Sequence, residues 1–219
     1  SPADKAKEVF AKAFANIERN VVTSSTDVVK NVSKEKHITE EMELSQSKLV
    51  MGFRTQISAG DEEAVAERLM CAVLGGTASS KLFNNVREKQ SLCYYCGSSA
   101  LRATGVMMVD SGVEPGREAQ AEAAILKELN DLCTGPITEQ EMDDCRRSLL
   151  SSLDSLGDSL GGLESWYYGQ ILRDEALAPP EYGKVLTNAV TADEVREVLQ
   201  SYHYSVGYTL TAKGEGENA

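Results

Sequence analysis

The sequence predicts an α+β fold: a mainly antiparallel sheet with several helices packed on one face. Three observations predict it. Segments with strand-like alternation (48–54, 92–101, 104–113 and 204–212) are interspersed with segments whose apolar residues keep helical spacing. Two of the strands, 92–101 and 104–113, follow each other closely enough to form a hairpin. Long helical segments then come consecutively after residue 117, which layers helices against one side of a sheet.

The chain has 219 residues, 42% hydrophobic and 26% charged, enough to bury a core without disulfides or metal. It divides into a leading helix and linker, 1–36, and one α+β domain, 37–219. It starts at Ser1-Pro2 without an initiator methionine, as an excised piece would. No apolar run approaches the ~18 residues of a membrane helix. A net charge of −12 argues against nucleic acid or an anionic membrane as partner and suits a basic peptide. Five cysteines without framework spacing point to a reducing compartment, and a cytoplasmic location is the expectation.

The elements follow in order. Residues 3–18 form a helix on Val9, Phe10, Ala13, Phe14 and Ile17, with Pro2 at its first turn. Residues 20–36 are polar and read as a linker or extended arm. Leu49, Met51 and Phe53 give 48–54 one strand face. Residues 61–74 are a helix with an acidic first turn and Val65, Leu69 and Val73 inward. Between the hairpin strands, Arg102-Ala103 is the link, although neither is a strong turn former. Glu114-Pro115-Gly116 breaks the chain before a helix over 117–133, with Ile125, Leu126, Leu129 and Leu132 inward. Thr138–Glu141 and Thr191–Glu194 are capping boxes. The first opens a helix striped by Met142, Cys145, Leu149, Leu153 and Leu156; the second opens one striped by Val195, Val198, Leu199 and Tyr202. A further helix is expected over 163–173, and Pro179-Pro180 reads as a break. Strand 204–212 carries Val206, Tyr208 and Leu210 on one face, and 214–219 is an acidic tail.

The chain is organised around 74–99, L-G-G-T-A-S-S-K-L-F-N-N-V-R-E-K-Q-S-L-C-Y-Y-C-G-S-S. Gly75-Gly76 is expected to end a helix through the freedom of glycine at positive φ. Ser79 is the candidate N-cap of a short helix on Leu82, Phe83 and Val86, which Arg87, Glu88 and Lys89 close. L-G-G-x-x-S-S-K-L-F followed by R-E-K-x-x-L-x-Y resembles the C-terminal half-domain of the pitrilysin/insulinase-like zinc peptidases, over roughly residues 48–212. Ser91 departs from the pattern, since family members usually carry glycine there. The family's zinc motif, H-x-x-E-H, is nowhere in the chain.

The resemblance implies a role for Arg87 and Tyr94: in the family, an arginine and a tyrosine so spaced reach across to the zinc-bearing half and hold the scissile carbonyl. Arg87 supplies a permanent charge and a rigid fork of donors, and Tyr94 a phenolic donor. Such donors stabilise a developing oxyanion. Gly75, Gly76, Ser79 and Ser80 are further substrate-binding candidates, with packing as the alternative. The resemblance also implies no zinc in this chain, and zinc in the partner half if the parent enzyme is active. The partner would be the N-terminal half of the same polypeptide or a homologous subunit, the substrate a peptide, and the assembly a homo- or heterodimer. Bacterial members that work as paired cytosolic subunits fit best. A catalytically silent scaffold subunit of the same fold is the alternative.

Other chemistries fit less well. His37 and His203 are the only histidines, too few for a zinc set. Gly75–Lys81 lacks phosphate-loop spacing. Glu139, Glu141, Asp143 and Asp144 read as a solvated helix face. Cys93-Tyr94-Tyr95-Cys96 has the C-x-x-C form, but within a regular strand residues three apart face opposite ways. The two sulfurs are therefore expected to diverge, and Tyr94 and Tyr95 to lie on opposite faces.

Overall fold

The computed structural model of the chain describes residues 2–18, 20, 29, 34–55, 57, 60–172 and 176–213. Most of the expected linker 20–36 and the whole tail 214–219 lie outside the described residues.

The strands are β1 (Lys36–Met42), β2 (Ser47–Arg54), β3 (Cys93–Leu101), β4 (Val106–Val113) and β5 (His203–Ala212). They form one sheet in the order β1-β5-β2-β4-β3. Only the β1–β5 pair is parallel; β2–β5, β2–β4 and β3–β4 are antiparallel. β1 escapes the sequence pattern because all seven of its residues are exposed, which removes the alternation that marks a strand.

The helices are α1 (Pro2–Phe14), α2 (Ala64–Cys71), α3 (Glu118–Thr134), α4 (Glu139–Leu156), α5 (Leu160–Leu172), α6 (Pro180–Ala189) and α7 (Ala192–Gln200). Leu49, Met51 and Phe53 of β2 and Met107, Val109 and Val113 of β4 point to the helix side. There they join Leu69 and Met70 of α2, Ile125 and Leu132 of α3, and Val195 and Leu199 of α7 in one buried cluster. The opposite face, with Lys48, Val50, Met108, Val206 and Tyr208, is half-buried.

Both capping boxes are formed: the Thr138 and Thr191 hydroxyls accept from the Glu141 and Glu194 N–H groups, whose carboxylates accept from the cap backbones. On α4, Glu141 pairs with Lys81, while Asp143 and Asp144 pair with Arg146 and Arg147. α6 departs from the sequence pattern, in which Pro179-Pro180 reads as a break. Pro180 instead begins the helix, where a missing N–H costs nothing. Trp166 Nε1 and Gln170 of α5 both bond Ala178 O, at 2.8 and 3.1 Å, and this fixes the approach to α6.

Three local readings are corrected. The β3–β4 link is Arg102–Gly105, with a 3₁₀ turn over Arg102–Thr104. Gly105, at φ 61°, supplies the left-handed residue that Arg102-Ala103 could not. α2 does not simply stop at the glycine pair but widens into a π-helical turn, Ala72–Gly76, and neither glycine has positive φ. Gly75 is required by close approach: a Cβ there would lie 2.6 Å from Ser98 N and 2.9 Å from Leu82 Cδ1. Ser98, buried on β3, donates to Cys71 O at 2.9 Å and ties the strand to this turn.

Ser91 is the one described non-glycine residue with positive φ, at 49°. It follows the π-helical segment Leu82–Lys89, where the chain reverses and Leu92 N–H returns to Val86 O at 3.1 Å. This geometry explains why glycine suits the position. Ser91→Gly is expected to relieve the Cβ clash and raise stability by up to ~1 kcal/mol, after subtraction of glycine's unfolded-state entropy. Chemical denaturation checks it; a loss of stability would contradict the strain.

Candidate substrate-holding site

The segment Leu82–Lys89 forms because Leu82 and Val86 are fully buried against the core while its other side faces solvent. Arg87 sits in its last turn, half-exposed at 37%. The side chain lies over the Phe83 ring, 4.7 Å from its centroid, and Nη1 reaches Glu88 Oε1 at 3.0 Å.

Arg87 Nε donates to the main-chain carbonyl of Tyr94 at 2.8 Å, so the structure brings the two candidate residues together. The meeting point is a β-bulge. Cys93 pairs with Val113 and Tyr95 with Gly112, which leaves Tyr94 as an extra residue without an opposite number. Arg87 thus binds the carbonyl that the bulge displaces from the ladder. Tyr94 is 57% exposed on β3, an edge strand of the sheet. The arrangement offers a phenolic hydroxyl and a guanidinium at one exposed edge, which is chemistry for holding a carbonyl oxygen.

The bulge overturns two expectations about this strand. Tyr94 and Tyr95 do not alternate between a buried and an exposed face: both are exposed. Tyr95 packs over Gly112, where a Cβ would come within 2.5 Å of its ring, and Lys48 Nζ lies 5.0 Å from the ring centroid. Cys93 and Cys96 do not diverge. The extra residue shifts the alternation by one, so both are buried on the core side. Both are free thiols. The hydrogen bond from Cys96 pulls the Cys93 thiol below its ordinary value against the opposing effect of burial, helped by Ser111 and Arg117. The bond to Cys93 together with burial pushes the Cys96 thiol up.

The remaining candidates do not converge on one surface. Gly75 is packed under β3 and Ser80 is buried, its Oγ accepting from Phe83 N at 3.4 Å. Ser80, not Ser79, is therefore the residue whose hydroxyl caps the segment. Gly76 and Ser79 are exposed, with Ser79 N–H bonded to Thr77 Oγ1 at 3.3 Å. Their backbone serves packing between α2, the π-helical segment and β3.

The donor set does not fit zinc. Among the described residues no three His, Cys, Asp or Glu side chains are placed to hold a metal ion. His37 Nδ1 lies 3.7 Å from Glu122 Oε1, which also accepts from the Tyr204 hydroxyl at 2.6 Å. His203 is exposed at the start of β5. No described helix is long and apolar enough to cross a membrane.

Comparison with known proteins agrees with this architecture. The profile of the peptidase M16 inactive domain matches residues 1–149. A Bacillus subtilis (strain 168) protein named probable inactive metalloprotease YmfF is 26% identical over 194 residues, 89% of this chain and 46% of its own length. A crystal structure of a conserved protein from Enterococcus faecalis V583 is similar with a TM-score of 0.80 and 30% identity, over 85% of this chain and 44% of that one. The peptidase M16 inactive domain from Pseudomonas fluorescens shares the fold, with a TM-score of 0.78 and 17% identity over 98% of this chain and 52% of that one. The chain thus spans about half the length of each of these three relatives.

Proposed function

Because the chain belongs to the peptidase M16 family, as its inactive domain, we propose that it is the C-terminal, non-zinc-binding half of a peptide-hydrolysing enzyme. Arg87 and Tyr94 hold the scissile carbonyl of a peptide bound against the zinc-bearing half. The observation that carries this reading is the Arg87 Nε bond to Tyr94 O at the bulge, which presents both donors together at an exposed edge. Two preorganised donors aimed where negative charge develops lower the barrier to acyl transfer. The metal and its chemistry belong to the other half.

Two surfaces support a partner. No residue of α1 is buried, although Val9, Phe10 and Phe14 share one side and Phe10 stacks on Phe14 at 6.2 Å. That side suits the preceding half of the polypeptide or a homologous subunit. α5 carries a single charge, Glu164, yet Leu160 (89% exposed), Tyr168, Ile171 and Leu172 face solvent, as do Tyr182 and Val185 of α6, apolar side chains that suit a dimer contact. The free cysteines support a reducing, cytoplasmic setting. A silent scaffold role is the second reading, favoured by the name of the Bacillus relative.

The test is reconstitution with the zinc-bearing half and assay of peptide cleavage by Tyr94 and Tyr95 variants. Activity that depends on Tyr94 alone supports the reading, and an assembly without activity supports the scaffold. The isolated chain is expected to hold no stoichiometric zinc and to cleave no peptide. Elemental analysis showing one zinc per chain, lost on substitution of His37 or His203, would reverse that expectation.

A further inference from the structure

We propose that Cys93 and Cys96 form a thiol–disulfide switch that reacts with low-molecular-weight disulfides and, when closed, reshapes the bulge that presents Tyr94. The pair spans the bulge. Cys93 stands opposite Val113 and Cys96 opposite Ser111, two residues on one face of β4, with the unmatched Tyr94 and the Gly112-paired Tyr95 between them. Both cysteines are buried on the same side of the strand, and a covalent bond between them draws the two ends of the bulge together. Because Arg87 grips Tyr94 O within the bulge, its shape is coupled to the position of both donors.

Arg117 donates to Ser91 O at 3.3 Å and favours a thiolate at Cys93, whereas burial pushes the Cys133 and Cys145 thiols up. β3 is an edge strand, so a small disulfide reaches Cys93 once the β3–β4 ladder alone opens. The Cys93 thiolate attacks one sulfur of the external disulfide, breaks its S–S bond and releases one thiol, which carries the proton Cys93 lost. Cys96 then loses its proton and attacks the Cys93 sulfur of the mixed disulfide; the Cys93–Cys96 bond forms and the second thiol leaves with that proton. The pair is oxidised by two electrons, and the small disulfide is reduced to two thiols.

Disulfide formation stands independently of the peptidase reading; its consequence for substrate holding rests on that reading. The reduced 219-residue chain is incubated with oxidised glutathione, quenched with an alkylating agent and mapped by mass spectrometry. The expected result is loss of two alkylatable thiols, a peptide containing Cys93 and Cys96 lighter by two hydrogens, and alkylated Cys71, Cys133 and Cys145. Amide exchange at Tyr94 and Tyr95 should differ between the two forms and revert with dithiothreitol. Cys93→Ser and Cys96→Ser, each a small change, should abolish the internal bond. Five alkylated thiols throughout, or glutathione retained on both cysteines without a bond between them, overturns the pair. Unchanged exchange at Tyr94 overturns the coupling to the bulge. Failure of Tyr94→Phe to affect cleavage would dispose of the substrate-holding role and leave the disulfide result standing.

Discussion

On the proposed role, Tyr94→Phe in the reconstituted assembly is expected to lower kcat by about 100- to 1,000-fold, the loss of about 2.7–4 kcal/mol that follows removal of one oxyanion donor. Only a hydroxyl is removed, and the ring is more exposed than buried, so folding and assembly stay as they were. The fall appears in kcat and kcat/KM together, because the lost interaction strengthens as charge develops. Arg87→Lys keeps the charge but loses the planar fork, and with it the Nε bond that pins the bulge carbonyl at 2.8 Å. It is therefore damaging too, through position as well as charge. Tyr95→Phe is the control. Its ring stays over Gly112 and against Lys48, and the change spares catalysis. Equal activity of the two tyrosine variants would refute the assignment of Arg87 and Tyr94 while leaving the family and fold untouched.

Gly75→Ala destabilises the chain by about 2–3 kcal/mol, the upper part of the range for overpacking a filled interior. The added Cβ meets Ser98 N at 2.6 Å and Ser98 Oγ at 2.9 Å, and the first of these is strand backbone. Relief requires the π-helical turn to move off β3, and the Ser98 bond to Cys71 O stretches with it. In a chain of this length the midpoint of thermal unfolding falls by about 4–12 °C. Gly76→Ala is the comparison: its Cβ comes no closer than 3.1 Å, to Cys71 O, so the cost is smaller. Calorimetry on both variants decides. If Gly76→Ala is the more damaging, the close approach at Gly75 is not what selects glycine. Alanine at 75 that leaves stability unchanged but raises KM would restore the substrate-binding role for the glycine pair.

Much of the fold was legible because its signals are local. The capping boxes at Thr138 and Thr191 each complete themselves within four residues, and both formed as read. The alternation of Leu49, Met51 and Phe53 records one buried face of β2, and it survives into the structure unchanged. β1 and α6 were illegible for opposite reasons. β1 has no buried face to leave a pattern, and α6 begins at a proline that from sequence signals an ending. The spacing of Arg87 and Tyr94 was visible as well, as a motif with a family resemblance, and the two do meet.

By itself, then, the sequence determined the α+β class and the order of most elements, and it singled out Arg87 and Tyr94 as a candidate pair, since each rests on near neighbours in the chain or on a motif. Tertiary structure decided how that pair is presented. A bulge exists only relative to a partner strand: whether Gly112 or Val113 stands opposite Tyr94 is settled by the β3–β4 ladder, which no periodicity within β3 can report. With Tyr94 unmatched, the faces after it exchange. That exchange puts Cys93 and Cys96 on one side, lays Tyr95 over the space Gly112 leaves open, and frees the Tyr94 carbonyl for Arg87.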